Sequence, residues 1–130
     1  MTEIEFFEQL KRRWPHDRAS PEPTCATIEL ADAAVRAWPL SAQLWTARGD
    51  LLQLADTDCG YPLREVERCY RHAIKADPLY AEAYEELGRF LAASMDNRRK
   101  AKRFLDKARR LRRSRRCGQN DRFSATNQRS

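Results

Sequence analysis

The chain has 130 residues, 42% hydrophobic and 34% charged, with four Gly and six Pro, which suits one globular, helix-rich domain and is too short for two buried cores. The formal charge of +6 is unevenly spread: residues 1–97 hold 11 basic and 17 acidic side chains, net −6, and residues 98–130 hold 14 basic and 2 acidic, net +12. No run approaches the roughly eighteen apolar residues of a membrane span, and the opening MTEIEFFEQLKRRW has no signal-peptide core, so a soluble, cytoplasmic protein is expected.

In chain order, Phe7, Leu10 and Trp14 recur at helical spacing and predict a first helix over 2–14, closed by Pro15. PHDRASPEP is a loop by composition. A second helix is predicted over 22–37, before Pro39, and a third over 41–54 with Ser41 as its N-cap. After the loop LADTDCGYP come helices at 63–76, ended by Pro78, and at 79–94. Asp96 is the expected N-cap of a last helix over 97–113. Apolar periodicity stops after Leu111, so residues 114–130 read as a basic, polar and disordered tail.

Chemistry-bearing constellations are not found. Cys25, Cys59, Cys69 and Cys117 lie 34, 10 and 48 residues apart, with only His16 and His72 as conceivable co-ligands. That spacing fits no zinc template, and free thiols are expected. The sequence has no nucleophile elbow, phosphate loop or H-E-x-x-H motif. His16 reads as a loop residue and His72 as a rim histidine. The expectation is a non-enzymatic protein with no cofactor, no metal and no catalytic residues.

Two segments repeat. AAVRAWP closes at Pro39 and RHAIKADP at Pro78; AQLWTARGDLL and AEAYEELGRFL then align Trp45 with Tyr84, Gly49 with Gly88 and Leu52 with Leu91, 39 residues apart. Both match W-x2-L-G-x2-Y, with Arg48 as the one departure, and Val66, Tyr70, Ala73 and Pro78 follow the second-helix pattern, as do Ala101, Leu105 and Ala108. The chain therefore resembles the tetratricopeptide repeat family over residues 1–113, in units of about 4–39, 42–78 and 81–113, the first degenerate, with Lys11 where Gly is usual. The resemblance implies an all-α fold: a short right-handed α-solenoid of about three helix-turn-helix hairpins, six helices in all, whose first helices line a concave face.

In that register the groove residues would be Glu5, Glu8, Gln9 and Arg12 in the first unit. The second would add Gln43, Thr46, Ala47, Asp50 and Gln53, and the third Glu82, Glu85, Glu86 and Arg89. Acids outnumber bases, which suits a basic or amphipathic peptide or protein partner. The positions matching the family's clamp for acidic chaperone tails are Glu8, Arg12, Ala47, Glu82 and Glu86; none has the clamp's residue type, and that function is rejected. The function expected is an adaptor or scaffold.

The alternative lies in the basic end. Arg98, Arg99, Lys100, Lys102, Arg103, Lys107, Arg109, Arg110, Arg112, Arg113, Arg115 and Arg116 stand against one acid, Asp106, between residues 98 and 116. Ala101, Leu105, Ala108 and Leu111 form a packing stripe through this run. The cations around it could bind nucleic acid or another polyanion, or an acidic protein surface, or coat an uncapped last helix through which two copies associate.

Overall fold

Hydroxyl caps open the first three helices. Thr2, Thr24 and Ser41 each accept the amide three residues on, from Glu5, Thr27 and Leu44, at 3.2, 3.2 and 3.3 Å. Ser41 also donates to Glu3 Oε1 at 2.5 Å, tying the first helix to the third. The computed structural model describes residues 1–15, 23–55 and 61–128, with side chains as far as Arg116. Among them are six helices and no strand: α1 Glu3–Arg12, α2 Cys25–Ala37, α3 Ala42–Leu54, α4 Leu63–Ala76, α5 Ala81–Ser94 and α6 Arg98–Gln128. The protein is all-α. His16, Cys59 and most of both predicted loops lie outside the described residues.

Two boundaries differ from expectation. Asn97, not Asp96, caps α6, accepting the Lys100 amide on Oδ1 at 3.3 Å. Asp96 instead takes a left-handed φ of 47°, a conformation that Asp tolerates better than most residues. The helix then continues to Gln128 rather than ending at 113. No Pro or Gly interrupts it before Gly118, and Arg, Lys, Leu and Ala are good helix formers; loss of an apolar stripe removes packing but does not itself break a helix.

Packing follows chain order. The pairs α3/α4 and α5/α6 make the most extensive contacts, each helix touches the next, and α3 also touches α1 and α5. The repeated glycines explain the close approach. A Cβ on Gly49 would lie 2.7 Å from Tyr70 Cε1, and one on Gly88 2.7 Å from Leu105 Cγ. Tyr70 and Leu105 are the matching second-helix positions of the two units. The units share a further bond: Trp45 Nε1 donates to the Pro39 carbonyl at 2.8 Å, and Tyr84 Oη to that of Pro78 at 2.9 Å.

Gly49→Ala should therefore cost stability even though alanine favours helix by about 1 kcal/mol. Tyr70 is fully buried and its hydroxyl is held by Asp50 and Gln53, so the ring cannot swing aside. Overpacking of about 1–3 kcal/mol outweighs the propensity gain. Gly88→Ala meets the half-buried Leu105 side chain, which can shift, and the Ala101 carbonyl oxygen at 3.1 Å, and chemical denaturation should show the smaller loss there. Equal losses at the two sites would refute this account.

The first unit packs in a different register from the one predicted. Phe6 and Leu10 are its buried pair, while Phe7 and Trp14 are half-buried at its edge. Cys25, expected as a free thiol, is disulfide-bonded. Sequence spacing does not reveal which sulfurs a fold brings within bonding distance. Cys69 is a free, buried thiol.

Candidate interaction groove

The alternate helices α1, α3 and α5 enclose a cavity of about 310 Å³. From α1 come Phe7, Leu10, Lys11 and Trp14; from α3, Gln43, Thr46, Ala47 and Asp50; from α5, Glu82 and Glu86, with Tyr80 just before it. Aromatic and aliphatic side chains surround three carboxylates. Glu82 Oε2 is buried with no hydrogen-bond partner.

Asp50 and Glu86 are the electrostatic centre. Tyr70 Oη donates to Asp50 Oδ1 at 2.6 Å, and Gln53 Nε2 donates to Tyr70 Oη at 2.5 Å. Burial pushes the Asp50 carboxyl up to about 7; Tyr70 opposes the rise, while the neighbouring Glu86, charged and hydrogen-bonded to it, adds to it. Two carboxylates so close in a partly desolvated site cannot both ionise at little cost. Burial and the charge of Glu82 also push the Tyr80 phenol up to about 12.

Of the sequence-predicted groove residues, Gln43, Thr46, Ala47, Asp50, Glu82 and Glu86 line this cavity. Gln53 stands behind it through Tyr70. Glu85 and Arg89 do not line it. They pair with each other at 2.6 Å, and Glu85 also pairs with Arg112 of α6. The Arg112 hydrogen bond holds the Glu85 carboxyl below its usual range. Glu5, Glu8 and Arg12 are exposed and none lines the cavity; with Phe6 and Leu10 turned inward, α1 is rotated from the predicted register. Phe7, Leu10, Lys11, Trp14 and Tyr80 also line it and are not among the predicted groove residues; Phe7, Leu10 and Trp14 form the apolar spacing that predicts the first helix, which conceals their place in the groove.

Arg48, two residues before Asp50, lies about 200° round α3 from it and faces away from the groove. Its Nε donates to Asp32 Oδ1 at 2.6 Å, and its Nη1 donates to Glu65 Oε1 at 3.1 Å and Cys69 Sγ at 2.9 Å. Tyr61 donates to Asp32 and holds its ring 5.4 Å from the guanidinium. Burial pushes the Cys69 thiol up to about 12, so at neutral pH the sulfur is an uncharged acceptor and Asp32 and Glu65 supply the counter-charge. This cluster joins α2, α3 and α4. It is a structural cluster in which the Nε and Nη1 donors of Arg48 are committed to protein partners.

Neither a family model nor a curated protein sequence matches the chain. His72, the expected rim histidine, stacks on Trp45 with centroids 4.4 Å apart; burial, then the charges of Arg68 and Lys75, lower its pKa. No described helix is long and apolar enough to cross a membrane.

Proposed function

We propose that the protein is a non-enzymatic interaction module of the tetratricopeptide type, an adaptor that takes a basic, amphipathic segment of a protein partner into the α1/α3/α5 groove. The observation that carries this is the joining of an apolar floor to Asp50, Glu82 and Glu86 in one concave site. An apolar side chain of the partner would fill the floor beside Trp14 and Ala47, and a Lys or Arg would meet the carboxylates. The unpartnered Glu82 oxygen is an acceptor awaiting such a donor. The 39-residue recurrence of glycines and of aromatic-to-carbonyl bonds supports the repeat assignment. The chaperone-tail clamp is unsuited to these acids.

A fluorescein-labelled amphipathic helical peptide with a Lys/Leu face tests this by fluorescence anisotropy. Glu82→Lys and Glu86→Lys should each weaken binding at least tenfold, and a Glu/Leu peptide of the same pattern should not bind. Unchanged affinity in both variants would sink the groove assignment. The cytoplasm is the compartment suggested by the sequence.

A further inference from the structure

The cations of the last helix are not the only ones on their side of the molecule. On α4, Arg64, Arg68, Arg71 and Lys75 recur at steps of four, three and four, one solvent-facing stripe, and all four are exposed. They line a cleft of about 260 Å³ together with His72 and one acid, Glu67. A second cleft, of about 250 Å³, is formed by Arg71 with Lys100, Arg103 and Phe104 of α6. Arg71 belongs to both. Its guanidinium carbon lies 5.7 Å from the centroid of the Phe104 ring, which is half-buried. The two cationic stripes therefore meet at one aromatic side chain, on second helices that are not consecutive in the chain.

We propose that this α4/α6 face is a binding site for single-stranded nucleic acid, independent of the groove. Phosphates would lie in the two clefts, where guanidinium forks can take phosphate oxygens two at a time, and a base would stack on Phe104. The anions already present are weak competitors. Glu67 pairs with Arg71 at 2.9 Å and Glu65 with Arg68 at 3.8 Å, both arginines being exposed, and such surface pairs are readily exchanged for phosphate. A chain-like ligand suits clefts separated by a shared arginine better than the flat headgroup plane of a membrane does. Farther along α6, Arg112 is engaged with Glu85 beside the acidic groove, so the site is centred on the first turns of α6 and on α4, not on the arginine-rich end.

Fluorescence anisotropy of 5′-fluorescein-dT20 with the full chain, over a salt series, provides the test. Arg71→Ala/Lys100→Ala/Arg103→Ala should weaken binding at least tenfold. It should also make the slope of log K against log salt shallower by about 2, at about 0.7 per lost phosphate contact. All three side chains are exposed, so the helical circular dichroism should be unaltered. Arg12→Ala/Arg13→Ala, exposed cations on α1, should leave affinity within twofold. An equal loss in that control would reduce the effect to net charge and overturn the site. Unchanged binding by the triple variant would overturn it too, as would wild-type protein that ignores the oligonucleotide but sediments with phosphatidylserine vesicles.

Discussion

Arg48→Leu should destabilise the protein by about 2–4 kcal/mol, although leucine is the residue the repeat pattern favours there. Breaking a buried ion pair by removing one partner costs about 3–5 kcal/mol, because the remaining charge stays desolvated. Asp32 and Glu65 keep roughly one-fifth of their side-chain exposure, which places the expected loss toward the lower part of that range. Leucine would fill some of the volume and leave both carboxylates facing it, with the Tyr61 ring deprived of its cation. Urea denaturation of the single variant measures the cost. Adding Asp32→Asn and Glu65→Gln should recover most of it, since neither amide then carries an unpaired charge. Recovery is the decisive arm: a triple variant no more stable than Arg48→Leu alone would mean that Arg48 acts through its stem packing and not through its charge.

Asp50→Asn should stabilise the protein by about 2 kcal/mol at pH 8 and by roughly half of that or less at pH 5. A carboxyl whose folded pKa of about 7 exceeds the ordinary aspartate value of 3.8 makes the folded state the stronger proton binder. Its favourable contribution is fully present below the unfolded pKa and is withdrawn as pH rises through about 7. A full shift of that size corresponds to about 4 kcal/mol; partial access to solvent reduces what one substitution recovers. Asparagine reproduces the neutral state, since its oxygen can still accept from Tyr70 and its amide can donate to Glu86. Thermal melts between pH 5 and 8 should show a wild-type decline that the variant lacks. Parallel curves would place the titration elsewhere. Peptide affinity should run the opposite way, rising through pH 7 as the groove gains its full charge. In the wild type, stability and ligand binding then oppose each other at this one pair.

Six helices were legible in the sequence because their signals are local. Apolar spacing, prolines after α2 and α4, and the Ser41 cap each act within a few residues, and the first five helices begin and end close to the predicted ones, whereas α6 runs on to Gln128. The 39-residue recurrence aligned Gly49 with Gly88, and each sits where a second helix approaches a first closely. From the second and third units, Gln43, Thr46, Ala47, Asp50, Glu82 and Glu86 line the cavity in that register, whereas Gln53, Glu85 and Arg89 do not. The first unit does not follow it: in α1, Phe6 and Phe7 are adjacent apolar residues, and choosing between them rotates every polar neighbour by about 100°.

By itself the sequence determined helix number, order and period, and the separation of a basic end from an acidic body. Only the tertiary structure decided what each charge faces. Arg48 departs from the repeat pattern because Asp32 and Glu65 arrive from α2 and α4 to neutralise it. The Asp50 carboxyl is pushed up by burial and by the charge of Glu86, 36 residues on in the chain, because α5 packs against α3 and brings the two together. The basic end is itself divided, with Arg112 meeting Glu85 while Lys100 and Arg103 join Arg71 of α4. Periodicity is a property of neighbouring residues along one helix, whereas desolvation and Coulomb energy depend on distances between helices, which the chain sets only once it has folded.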